Sequence, residues 1–173
     1  MFVTGLGGAA ALSRDSTSSP SPLRFASYDG GIGPALSATA GYHFNNWISA
    51  QAGYTWNQSR VKITQLTGID FAQREQTGPQ HSVGADLLVY FRPRNSRVRP
   101  YLSAGPAWSR VDAQNKPALR VAVGVDLLLK QGWGVRYTFT ETMSASPYGA
   151  ALNPPGKHGL MNFQNLVGVI KVF

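Results

Sequence analysis

The amino-acid sequence predicts an all-β fold: a closed, antiparallel, eight-stranded up-and-down barrel that crosses a membrane. Three observations carry this reading. Apolar and small or polar residues alternate with period two in one segment after another, the signature of strands with one apolar face. No helical period is sustained, and 19 Gly and 11 Pro recur too often for long helices. The alternating segments number eight and run to about ten residues each, the length a tilted strand needs to cross a bilayer. An even number of antiparallel strands can close into a ring and leave no edge.

The first strand is read over Phe2 to Leu12, where Gly and Ala blur the alternation. The second, Ala35 to Phe44, sets Leu36, Ala38, Ala40, Tyr42 and Phe44 against Ser37, Thr39, Gly41 and His43. Asn45-Asn46 then reads as a tight turn, since Asn tolerates positive φ. The third, Trp47 to Asn57, sets Ile48, Ala50, Ala52, Tyr54 and Trp56 against Ser49, Gln51, Gly53 and Thr55. The fourth, about Gln80 to Phe91, sets Val83, Ala85, Leu87, Val89 and Phe91 against Ser82, Gly84, Asp86, Leu88 and Tyr90. In the fifth, Tyr101 to Arg110, Leu102, Ala104, Pro106 and Trp108 oppose Ser103, Gly105, Ala107 and Ser109. In the sixth, Ala118 to Leu129, Leu119, Val121, Val123, Val125 and Leu127 oppose Arg120, Ala122, Gly124 and Asp126. Lys130 to Gly132 is a short turn into the seventh, where Trp133, Val135, Tyr137 and Phe139 oppose Gly134, Arg136, Thr138 and Thr140. The eighth runs from about Leu160 to Phe173. Short turns alternate with long Ser/Pro/Gly-rich connections at about 13–33, 58–79 and 143–159. All 173 residues make one domain.

Composition decides which face is wet. A soluble lipocalin-like barrel keeps its apolar face inside and needs a Lys/Glu-dense outer face. Here only 14% of residues are charged, and the non-apolar faces are mostly Gly, Ser, Ala and Thr. Small side chains suit the cramped inside of an eight-strand barrel, which turns the apolar faces toward lipid. Those faces carry aromatics near strand ends: Tyr42, Phe44, Trp47, Tyr54, Trp56, Phe91, Tyr101, Trp108, Trp133 and Phe173. Aromatic girdles at the two lipid interfaces produce that distribution. No run of 18 apolar residues offers a transmembrane helix. There is no Cys, so disulfides are silent on the compartment. No basic n-region precedes "FVTGLGGAAAL", so the reading expects numbering that starts on a processed or truncated form.

The stretches "GYHFNNWISAQAGYTW", "RPYLSAGPAWSRV", "GVDLLLKQGWGVRYTF" and "NLVGVIKVF" resemble the small eight-stranded outer-membrane barrels of the OmpA/OmpX type, within the broad outer membrane protein beta-barrel domain family. The resemblance implies a bacterial outer-membrane location, with short turns and both termini periplasmic and long loops extracellular. It implies outer-membrane lipid or lipopolysaccharide and a protein at the extracellular loops as partners. It also implies that the C-terminal aromatic, here Phe173, is read by the barrel-assembly machinery. Lys171 departs from the family's pattern, which has an apolar residue there. In one parity of the last strand Phe163, Val167, Val169, Lys171 and Phe173 face lipid; in the other Leu166, Ile170 and Val172 do.

The ionisable residues on the lumen face are Asp86, Arg120, Asp126 and Arg136. A buried charge is tolerable when paired, and the sixth and seventh strands are hairpin neighbours. Asp126 and Arg136 are therefore expected within salt-bridge distance. The expected role is a structural plug; the alternative is a proton or ion path. Net charge is +8, and "RPRNSRVRP" places Arg92, Arg94, Arg97 and Arg99 in one basic periplasmic turn, suited to an anionic partner. The long loops add Arg14, Arg24, Arg60, Lys62 and Arg74. Nucleic acid is disfavoured because no stacking platform accompanies the arginines.

A lipid A-modifying enzyme of the PagL or PagP type is the alternative function, and a small pore a third. The residues for the enzyme are His43, His81, His158, Ser82, Glu141 and Ser144, without a convincing catalytic spacing. The reading is therefore a non-enzymatic barrel with no cofactor and no metal site.

Overall fold

The computed structural model describes residues 1–12, 17–21, 24–67, 70–111, 114–145 and 159–173, with side chains over 1–12, 31–58, 62, 64, 78–110, 114–145 and 161–173. Arg14, Arg24, Arg60, Arg74 and His158 are outside the side chains described.

Ten strands form: β1 (Phe2–Leu12), β2 (Thr17–Ser21), β3 (Arg24–Gly30), β4 (Ile32–His43), β5 (Ile48–Thr67), β6 (Asp70–Tyr90), β7 (Val98–Val111), β8 (Gln114–Leu128), β9 (Trp133–Ala145) and β10 (Gly159–Val172). Eight of them close the ring β1-β4-β5-β6-β7-β8-β9-β10, every neighbour antiparallel. β1 seals against β10 from Phe2↔Val172 to Leu12↔Asn162. The terminal strand is apolar to its end because it is a seam, with Phe173 N–H donating to Met1 O at 3.0 Å. The fold is a closed eight-stranded antiparallel barrel.

β2 and β3 are the additional pair. β3 continues the sheet on β5 at 61–67, beyond the stretch of β5 that β4 covers at 49–57. They lie in the expected first loop. The expected loop at 58–79 is likewise a hairpin, paired without interruption from Gln58↔Pro79 to Thr67↔Asp70. Its Val, Ile, Thr and Phe residues favour extended backbone, and cross-strand pairing overrides the Gly and Pro that suggested a loop. The segment expected as a loop from 143 enters β9 up to Ala145; residues 146–158 lie outside the described ones. The barrel thus has a turn end and a hairpin end.

At the turn end, Asn45 does not use a positive φ. Its Oδ1 accepts from the N–H groups of Trp47 and Ile48 at 2.7 and 2.8 Å, an Asx-type turn. Left-handed backbone occurs instead at Gln131 (φ 58°) and Gly132 (φ 75°), in the 3-10 turn Lys130–Gly132.

The alternation holds through the ring. Leu36, Val83, Leu87, Leu102, Leu119 and Val123 are exposed on the outside, while Ser37, Ser82, Asp86, Ser103, Arg120 and Thr138 are buried within. Two apolar clusters lie in the lumen: Phe2, Leu88, Tyr90, Tyr101 and Ile170 at the turn end, and Leu6, Ala10, Ala35 and Leu166. Tyr101 is therefore no girdle residue. It shares parity with Ser103, opposite to the outward Leu102. Its ring lies against Gly124, where an added Cβ would come within 2.5 Å of Tyr101 Cζ and Oη. Gly124→Val is expected to overpack the lumen and cost about 1–3 kcal/mol, seen as a lower urea midpoint of the refolded barrel. An unchanged midpoint would show that the ring does not rest on this backbone.

The other expected girdle aromatics face out. Tyr42, Phe44, Trp47, Phe91, Trp133 and Phe173 are exposed around the turn end. Tyr54 and Trp108, with the half-buried Trp56, stand farther toward the hairpin end. The last strand takes the parity with Val167, Val169 and Phe173 outward and Leu166 and Ile170 buried.

Candidate functional site

The chemistry-bearing residues meet inside the barrel. Asp126 lies on β8 with Arg136 opposite it on β9 and Arg99 opposite it on β7. Period-two geometry sends all three side chains inward. Arg136 takes the carboxylate in a two-pronged contact, Nε to Oδ1 at 2.6 Å and Nη2 to Oδ2 at 2.8 Å. Tyr90 OH donates to the same Oδ2 at 3.0 Å and accepts from Arg136 Nη2 at 3.0 Å. Such a fork is the strongest arrangement open to these groups.

A second fork lies farther along the lumen. Arg120 Nε and Nη2 reach Asp86 Oδ1 and Oδ2 at 2.9 and 2.6 Å. Gln51 joins the two pairs: its Nε2 donates to Asp86 Oδ2 and its Oε1 accepts from Arg136 Nη1, both at 3.0 Å. Asp86, Arg120, Asp126 and Arg136 therefore form one network, all 6% exposed or less. A cavity of about 30 Å³ remains beside it, bordered by Gln51, Asp86, Arg120 and Arg136. That is room for a water or two, not for a ligand. Toward the hairpin end the lumen turns neutral and polar. Asn162 Nδ2 donates to Asn57 Oδ1 at 3.1 Å and to Gln80 Oε1 at 2.8 Å.

Arg99 departs from its expected place. Arg92, Arg94 and Arg97 are exposed in the turn between β6 and β7, but Arg99 is 0% exposed. It belongs to β7 and shares the inward parity of Tyr101 and Ser103. Its guanidinium carbon sits 3.8 Å from the Tyr90 ring centroid, a cation–π stack. None of its three side-chain nitrogens has a hydrogen-bond partner among the described residues. Arg136 already holds both oxygens of Asp126.

Gln51, Tyr90 and Tyr101 complete the site. The inward parity of Gln51 and Tyr90 was legible in the alternation, whereas Tyr101 was read as a girdle aromatic; an amide and two phenols carry no charge to flag them. His43 was not recognised as a lumen partner; its Nδ1 bonds Ser49 Oγ at 2.6 Å across a hairpin, both buried.

Among the described residues the enzyme candidates do not assemble; His158 lies outside them. His81 turns outward and bonds Tyr54 OH at 2.7 Å, while Ser82 is buried in the lumen. Adjacent strand residues point to opposite faces. Glu141 faces outward, opposite Phe163 and Val121, and Ser144 lies on the other face.

Fold and site define a small membrane barrel whose lumen is a packed, ion-paired core. The family described as "Outer membrane protein beta-barrel domain" matches residues 4–166, and the chain belongs to that family. Its structure is similar to the crystal structure of the outer membrane protein OprG from Pseudomonas aeruginosa, with TM-score 0.63 and 17% identity over 99% of this chain and 95% of that one. It is also similar to that of Neisserial surface protein A (NspA), with TM-score 0.62 and 17% identity over 99% and 96% of the chains. At that identity the likeness is one of fold. A comparison with curated proteins finds no match.

Proposed function

We propose that the chain is a non-enzymatic integral outer-membrane barrel whose hairpin end binds a partner or stabilises the outer membrane. The observation that carries this reading is the filled lumen: two forked ion pairs and a turn-end cluster around a cavity of about 30 Å³. Charges committed to one another in a closed core neither conduct nor catalyse. The reading places the short turns and termini in the periplasm and the long hairpins outside the cell, facing lipopolysaccharide or a protein. Phe173, 70% exposed at the end of the seam, is available to the assembly machinery.

Three measurements test this. Protease added to intact cells should cut within 58–79 and spare 92–97; the reverse pattern would invert the orientation. Purified barrel in a planar bilayer should give no discrete conductance steps, and lipid A from expressing cells should keep its mass. Steady steps would favour a pore, and a mass loss of one acyl chain an enzyme.

A further inference from the structure

A second site lies on the outer wall. At the turn end of the seam, Val3, Gly5, Trp133, Val169, Lys171 and Phe173 border an open groove of about 350 Å³. Val3, Lys171 and Trp133 are cross-strand partners on β1, β10 and β9, and Gly5 pairs with Val169 in the next row. Gly5 leaves the groove open: a Cβ there would meet nothing within 4 Å. Its walls are therefore aliphatic and aromatic, with its floor at Gly5.

The charged side chains of the rim are all basic. Lys171 Nζ donates to Gln131 O at 2.8 Å and lies 4.7 Å from the Trp133 ring centroid and 5.9 Å from that of Phe173. That leaves ammonium protons for another acceptor. Arg94 Nη2 is taken by a carboxyl oxygen of Phe173 at 3.1 Å, beside the groove. Arg92, Arg97 and Lys130 are exposed at the same end. Among the described residues every exposed side-chain charge of this end is basic, since Asp86 and Asp126 are buried. A second copy docking by two-fold symmetry would bring these cations together, so the complementary occupant is an anion with an apolar tail.

We propose that this groove holds one anionic glycerophospholipid, an acyl chain lying over Gly5 between Trp133 and Val169 and the phosphate on Lys171. This rests on the outer surface being the lipid-facing one. It does not depend on what the hairpin end binds.

Native mass spectrometry of the full chain released from micelles tests it, using dioleoyl phosphatidylglycerol and dioleoyl phosphatidylcholine in equal amounts. The wild type is expected to retain one phosphatidylglycerol in preference to phosphatidylcholine. Lys171→Gln should weaken that retention about fivefold, the effect of one basic residue at a lipid surface, and Lys171→Arg should restore it. Gly5→Leu should abolish retention of either lipid with Lys171 still in place. Arg97→Gln, exposed away from the groove, should change nothing. Each variant's heat-modifiable gel mobility reports that it is folded, and Gly5→Val serves if Gly5→Leu is not. Equal retention of both lipids, no retention, retention unchanged by Lys171→Gln and by filling the groove, an equal loss in Arg97→Gln, or protein dimers in place of lipid adducts would each overturn the proposal. None of those outcomes alters the protease or conductance results, so the two readings fail separately.

Discussion

Asp126→Ala should lower the stability of the refolded barrel by about 3–5 kcal/mol, the usual cost of removing one partner from a buried ion pair. The substitution leaves Arg136, 1% exposed, without its carboxylate, and Tyr90 without its acceptor. It also leaves two buried cations on neighbouring sides of the vacated position. Urea titration in detergent micelles, followed by gel mobility, measures the effect. The double variant Asp126→Leu with Arg136→Met removes both charges, and should return to within roughly 1–2 kcal/mol of the wild type, because an apolar replacement of a buried pair is often neutral. If the single variant were as stable as the double one, Arg136 would be reaching water, and the description of the lumen as closed would be wrong.

The opposite sign is expected on the other flank. Arg99→Met should raise stability by about 2 kcal/mol. Desolvating an unpaired cation costs several kcal/mol, and the stack on Tyr90 offsets roughly 2 of them. Methionine keeps an apolar, flexible side chain against the ring. The same titration decides it. A loss of stability would mean that Arg99 has an acceptor inside the lumen and contributes to the network. The two substitutions touch residues that share Asp126 as a cross-strand neighbour, so their combination is not expected to be additive.

These two residues also show how far the sequence could be read. The direction of nearly every strand side chain was legible, because period two follows from the backbone geometry of a single strand. The Asp126–Arg136 fork was legible for a related reason: a three-residue turn sets the two residues opposite each other in one hairpin. The Asp86–Arg120 fork needed more. β6 and β8 are not neighbours, and the two residues meet because Arg120 reaches over β7, where its cross-strand partner is Gly105. Their shared inward face was readable, but their contact was not.

Arg99 was misplaced because its neighbours Arg92, Arg94 and Arg97 form a basic run that ends in a turn. One residue of strand separates the end of that turn from Arg99, and charge pattern alone does not say where a turn stops. The hairpin at 58–79 was missed because Gly78 and Pro79 look like punctuation, whereas pairing along its whole length keeps the backbone extended.

Local alternation, small inward residues and outward aromatics thus specify a membrane barrel from the chain alone, since each depends on a residue and its near neighbours. That Arg120 meets Asp86, that Tyr90 joins the Asp126–Arg136 pair while Gln51 bridges the two pairs, and that Lys171 lies on Trp133 all depend on the assembled ring. Closing the ring brings residues as far apart in sequence as Asn57 and Asn162, or Met1 and Phe173, into hydrogen-bond contact. It does so by setting strand stagger and lumen width together, and no stretch of sequence carries either quantity by itself.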